Sequence, residues 1–354
     1  MTQFVKTNVD ISVMKSAEVC PVSPLSTVLE LENRINKEVL GQQEVIRSIL
    51  LTLLCDGNLL LEGLPGLAKT RVIRVLAKHL EGDFRRLQFT PDLLPSDITG
   101  AEVYFQDKEQ NGFRFRPGPL FGHLVLIDEI NRAPAKVQSA LLEAMEERQI
   151  TVAGVSHPLP RLFMALATQN PVEQDGTYPL PEAQLDRFLM KVVVDYPNKN
   201  DERNMLRLVR SEQKQKLDDD TGENGSDLQT TQPVSQNVIF DSWCEIADIH
   251  VSEAIEKYII DLIDATRHPS ALDGGEELQR WIQVGASPRA SLALEKSARA
   301  NAWLEGRDYV SPLDIQTVIY PVLRHRLLLT YKASAEGIGC DEVIGKLLSL
   351  IVAS

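Results

Sequence analysis

The stretch from Asn58 to Thr70 reads NLLLEGLPGLAKT: a short apolar run, a Gly-Leu-Pro-Gly turn, then a lysine and a hydroxyl. These residue types suit a phosphate chain, which needs converging backbone N–H groups, the positive end of a helix and an approach free of side chains. Gly63 and Gly66 permit that approach, and the backbone of Leu64, Pro65, Leu67, Ala68 and Arg71 completes the loop. Lys69 reaches the outer phosphates, and the Thr70 hydroxyl is a ligand for a magnesium ion bridging them. The strict pattern has glycine before the lysine, whereas Ala68 stands here. A glycine-rich strand–helix turn with a surface lysine is the plain alternative.

A second apolar run, LVLIDEI from Leu124 to Ile130, ends in paired carboxylates. Ligands of open parallel sheets gather at the carboxyl ends of strands, so Asp128 is expected beside the loop, holding magnesium through water. Glu129 is then placed to polarise the water attacking the terminal phosphate. Alone, such a pair could simply cap a helix; together with the first motif it points to nucleotide chemistry.

These residues need an α/β framework. The apolar runs NLLLEG, FRRLQF, LVLID, RLFMALATQ and FLMKVVV read as strands of a mostly parallel sheet, with amphipathic helices between them. Residues 1–22 form an arm without clear periodicity, and 23–210 the nucleotide-binding core. Hairpins are expected near 101–116, with a polar turn ending at Asn111–Gly112, and near 149–159, turning at Ala153–Gly154. The first hairpin either meets a substrate or merely covers apolar surface. His157 reads as a loop residue. Residues 211–236 are polar and acidic and read as a linker, and 237–354 as an all-α lid with Ser287–Pro288 and Ser311–Pro312 as helix starts.

The 354 residues suffice for two sizeable cores, and a formal charge of −13 disfavours a protein built to coat nucleic acid. Cys20, Cys55, Cys244 and Cys340 lack metal-ligand spacing and read as reduced thiols. No apolar run reaches membrane-spanning length and no secretory leader is evident, so a soluble cytoplasmic protein is expected.

GLPGLAKT, LVLIDEINRAPAKVQSALLEAMEE and PLPEAQLDRF, in that order, resemble the MoxR family of AAA+ ATPases, whose loop shares the alanine at the position of Ala68. The resemblance runs from about Leu31 to the C-terminus, apart from the polar insert. It implies a P-loop NTPase fold with an α-helical lid, ATP and Mg2+ as cofactors, and a homo-oligomeric ring, most often a hexamer. The backbone at Leu40, Gly41 and Gln42, otherwise a helix boundary, is implied to line the base pocket. Asn170, at a strand end, matches the sensor that holds the attacking water or γ-phosphate. Arg187 of LDRF matches the arginine that acts in trans, with Arg132 also facing a subunit boundary, and Arg289 of GASPRA matches the lid arginine expected over the β- and γ-phosphates. The implied role is an ATP-driven chaperone that matures or activates protein clients, including proteins with a von Willebrand factor A domain. A nucleotide-dependent binding switch, and a DNA-acting or chelatase-type motor subunit, are the alternatives.

Overall fold

The computed structural model describes residues 23–64, 69–106, 111–170, 177–178, 180–220 and 232–352. The N-terminal arm, most of the phosphate loop (Pro65, Gly66, Leu67 and Ala68), Cys20 and residues 221–231 of the expected linker lie outside them.

Helices α1 (Pro24–Glu38) and α2 (Gln43–Leu54) precede strand β1 (Leu59–Gly63), and α3 (Lys69–His79) follows it. β2 (Phe84–Gln88) and α4 (Pro95–Thr99) lead into the antiparallel hairpin β3 (Gly100–Gln106) and β4 (Asn111–Pro117). β5 (Leu124–Asp128) and α5 (Ala135–Glu147) lead into a second hairpin, β6 (Gln149–Val152) and β7 (Val155–Pro158). β8 (Met164–Gln169), α6 (Glu182–Leu185), β9 (Met190–Val194) and α7 (Lys199–Asp220) follow. The C-terminal region comprises α8 (Gln236–Ala247), α9 (Glu253–Arg267), α10 (Glu276–Trp281), β10 (Ile282–Val284), α11 (Pro288–Leu304), α12 (Pro312–Leu323), β11 (Leu328–Leu329), α13 (Tyr331–Ala335) and α14 (Cys340–Leu350).

One five-stranded sheet, ordered β2-β5-β8-β1-β9, is parallel throughout. Its central strands are apolar on both faces, as a sheet covered on both sides requires. Leu59, Leu61, Leu124, Leu126 and Leu166 face one core, and Leu60, Val125, Ile127, Ala165 and Ala167 face the other, which α5 closes. The first core runs without a break from the sheet into α9, α11, α12 and α14, so the C-terminal helices, expected as a lid, share their apolar contacts with the sheet.

The structure departs from the sequence reading in details. The C-terminal region is helical except for the antiparallel pair β10–β11. Helix α7 continues to Asp220, into the segment read as linker: that stretch is polar, but Glu, Gln, Lys and Leu are good helix formers. Asn111 pairs with Gln106, so Asn111–Gly112 begins a strand rather than ending a turn; residues 107–110 lie outside the described residues. Ala153 and Gly154 both have positive φ, 51° and 83°, as a two-residue hairpin turn demands. His157 lies in a strand and stacks on Phe115, 3.9 Å between ring centres, joining the two hairpins.

Polar contacts seat the lid on the start of β9. The Arg326 guanidinium is almost fully buried and donates to Asp186 Oδ1 at 2.8 Å and to the carbonyl of Phe188. Burial lowers the Arg326 pKa below the ordinary guanidinium value, and Asp186 opposes that shift. Ser287, the cap of α11, donates its hydroxyl to Asp186 Oδ2 at 2.7 Å. Burial also holds His325 well below the ordinary imidazole value, so its neutral ring donates Nε2–H to the Phe188 carbonyl at 2.9 Å. Removing one partner of such a buried pair strands the other charge. Asp186→Ala is therefore expected to lower stability by about 3–5 kcal/mol, read as a lower urea midpoint; an unchanged midpoint would show that this pair does not hold the lid.

Candidate functional site

Parallel strands end together, and here their carboxyl ends bring several of the expected residues to one edge. Gly63 ends β1, Asp128 ends β5, Gln88 ends β2, and Asn170, buried, directly follows β8. Lys69 opens α3 over the end of β1, where its ammonium donates to the Gly63 carbonyl at 2.6 Å. Thr70 follows in the same first turn. Gly63 has a reason of its own: a Cβ there would lie 2.7 Å from the Val194 carbonyl oxygen of β9, so the strand packing already requires glycine.

Asp128 is nearly buried. Its Oδ2 accepts from Arg86 Nε at 2.7 Å, and the Thr168 hydroxyl approaches its Oδ1 at 3.4 Å. Glu129 has φ +59°, in the left-handed region that a residue with a side chain rarely adopts, at a cost of about 1 kcal/mol or more. Its N–H donates to Thr168 Oγ1 at 3.0 Å. Its carboxylate accepts from Gln88 Nε2 at 2.8 Å and pairs with Arg132 Nε at 3.1 Å. Thr168 thus holds both members of the Asp-Glu pair through one hydroxyl. The Thr70 hydroxyl and the Asp128 carboxylate are hard oxygens of the kind Mg2+ takes when phosphates and waters supply its other ligands.

Beside this edge lies a cleft of about 990 Å³. Gly41, Gln42, Val193 and Tyr196 line it from the core, and Thr317 and Tyr320 from α12 of the lid. Gly41 has φ +73°, and a Cβ on it would meet Asp201 at 2.8 Å. Gln42 reaches the Asp195 carbonyl at 3.3 Å. Of the turn at Leu40, Gly41 and Gln42, the last two line this cleft. Arg71 turns the other way and donates to the Glu38 carbonyl at the end of α1, tying α3 to α1.

Arg187 and Arg289 are elsewhere. Arg187 precedes β9, and Met190 pairs with Leu59 at the start of β1, so Arg187 belongs to the amino-end edge of the sheet. Its guanidinium pairs with Glu146 at 2.9 Å, in the last turn of α5. Arg148, just beyond that turn, contacts the carbonyl and carboxylate of Asp56 ahead of β1, which fixes the end of α5 at the same edge. Arg289 also pairs with Glu146. The expectation that Arg289 leans over its own chain's phosphates is corrected here: it sits beside Arg187, the length of the strands away, on the order of 15 Å.

Thr168, Arg86, Gln88 and Glu146 were not anticipated. Gln88 sits at the end of a strand and could have been found by the rule that singled out Asn170. Glu146 sat within a charged helix end and carried no distinguishing signal.

A family model described as "ATPase family associated with various cellular activities (AAA)" matches residues 58–190, and one described as "AAA lid domain" matches residues 278–347. The chain is 43% identical to Chaperone MoxR1 of Mycobacterium tuberculosis over 90% of this chain and 80% of that one. It is 34% identical to Protein MoxR of Paracoccus denitrificans over 85% and 88% respectively. A crystal structure from Cytophaga hutchinsonii, described as a proposed ATPase, aligns with a TM-score of 0.82 at 42% identity, covering 94% of this chain and 96% of that one.

The Thr168 geometry carries a prediction. Thr168→Val keeps the shape but removes the hydroxyl that serves Glu129 and Asp128. Turnover of ATP is expected to fall about 10-fold or more, since small displacements of reacting groups are that costly, with nucleotide affinity little changed in a fluorescent-nucleotide titration. Unaltered turnover would show that the hydroxyl does not set the carboxylates.

Proposed function

The chain belongs to the MoxR family of AAA+ ATPases and hydrolyses ATP, and we propose that it does so as a ring in which each site is completed by the neighbouring chain, driving the remodelling of a protein client. The reading is supported chiefly by one observation: the loop lysine and the Asp-Glu pair lie at one edge of the sheet, and the two arginines at the other. A chain so built holds a nucleotide by itself, while the arginines at its own phosphate edge, Arg86 and Arg132, are engaged by Asp128 and Glu129.

In this reading the backbone from Gly63 to Arg71 and the Lys69 ammonium hold the phosphates, and the turn at Leu40, Gly41 and Gln42 lines the base. Thr70 and Asp128 hold Mg2+, which when bound neutralises charge on the phosphates. Glu129 accepts a proton from the attacking water while Asn170 fixes that water's position. Charge growing on the terminal phosphate meets Arg187 and Arg289 of the adjacent chain, the kind of contact that accelerates hydrolysis by about 10³–10⁵. The ring is a hexamer and cytoplasmic; among the described residues no helix is long and apolar enough to cross a membrane. Its clients are proteins, those carrying a von Willebrand factor A domain among them. The first hairpin suits client contact, because Tyr104 and Phe113 stack edge-on at its outer end while each is more than half exposed. A hairpin serving only to cover apolar surface would bury them.

Specific ATPase activity is expected to climb with protein concentration as scattering mass rises, because association completes the site. Flat activity in a persistent monomer would overturn the shared site. Lys69→Ala is expected to abolish nucleotide binding in a titration, and full retention of affinity would remove the loop assignment. Arg187→Ala and Glu129→Gln should each be inactive alone, yet recover hydrolysis on mixing, since each supplies what the other lacks.

A further inference from the structure

Two helix ends break the same local rule where they meet. Arg289 puts a cation in the first turn of α11, and Glu146 and Glu147 put carboxylates in the last turn of α5, each against the sign of its helix dipole. Neither choice favours its own helix; each makes sense only through the other. Glu146 divides its carboxylate between the two arginines: Oε2 accepts from Arg187 at 2.9 Å, and Oε1 accepts from Arg289. Arg187 comes from the core and Arg289 from the lid. Among the described residues Arg187 Nε is buried without a hydrogen-bond partner, beside a cavity of about 260 Å³ lined by α5 and Gln184, which leaves the Glu146 contact to set the tilt of its guanidinium plane.

We propose that Glu146 is a positioning residue that yokes Arg187 and Arg289 into one paired guanidinium group presented to the neighbouring chain's terminal phosphate. The proposal rests on the reading that both arginines act in trans. Two guanidinium groups brought close repel each other, and a carboxylate between them offsets that repulsion. It uses few of the five N–H donors that each arginine carries, so both keep donors for phosphate oxygens. Because one partner is on the core and the other on the lid, the yoke also makes the two arginines arrive together. Glu146 touches no substrate and acts through the arginines alone.

The test is Glu146→Gln in the full-length chain, which keeps the shape and removes the charge. Its affinity for ATP and its assembled mass are expected to match the parent, while kcat falls about 10- to 100-fold, the cost of misplacing a reacting group by roughly an ångström. Two further measurements separate positioning from a structural role. Mixed with Glu129→Gln, whose arginine pair is intact, the Glu146→Gln chains should regain hydrolysis. In the Arg187→Ala, Arg289→Ala background, adding Glu146→Gln should lower kcat no further. Parental turnover by Glu146→Gln, or a further loss in that arginine-free background, would overturn the proposal. If Arg187→Ala complements Glu129→Gln but Glu146→Gln does not, the proposal fails and the in-trans reading stands; if neither mixture recovers, both fall.

Discussion

A parallel sheet sends every strand end to one edge and every strand start to the other, and the division of labour in this chain follows from that. The loop of Lys69 and the carboxylates of Asp128 and Glu129 follow strands, whereas Arg187 precedes one. β1 runs five residues, Leu59 to Gly63, and no side chain spans that length. In the proposed reading, the loop and carboxylates that would hold the nucleotide and the Arg187–Arg289 pair are therefore held apart within one molecule. Association is the economical solution, because a ring sets the edge of one subunit against the opposite edge of the next without deforming either.

The lid is part of that rigid arrangement. It shares the first core with α1, α2 and the sheet, and Asp186 fixes it through the buried Arg326 and the cap of α11. Asp186 and Arg187 are consecutive: one carboxylate seats the lid, and the next residue carries the guanidinium that meets the lid's own arginine over Glu146. Detaching the lid from its core would expose apolar surface and strand a buried charge. A motion that tilts core and lid as one body against a neighbour avoids both costs. The cleft by Gly41 and Gln42 is lined from α12 as well, so both parts of that body form its walls.

Much of this was legible in the sequence, for reasons that differ between residues. The strand–loop–helix at Asn58–Thr70 and the strand ending in Asp128–Glu129 are local patterns, where spacing along the chain is spacing in space. The hairpin turn at Ala153–Gly154 was readable because positive φ restricts residue type. Thr168, Arg86 and Gln88 were not, since their partners lie about 40 residues away and only strand order brings them together. Gly63 was read for one reason only: the phosphate motif calls for glycine, but so does Val194 on the adjoining strand, and a sequence cannot separate two demands for one residue.

Arg289 is the most instructive difference. Its motif identified the helix start correctly, yet where the resemblance implied a place over the phosphates, the structure pairs Arg289 with Glu146 beside Arg187. A position in the chain says which residue opens a helix; where that helix points depends on what its cap holds. Here Ser287 caps α11 and also bonds Asp186, so the first turn is aimed at the amino-end edge of the sheet. Arg289 there meets Glu146 at the end of α5, and the opposed charges at two helix ends, unfavourable separately, become one interaction. Such paired departures from local preference are found where a structure serves chemistry, and they direct attention to Glu146 more strongly than either helix does alone.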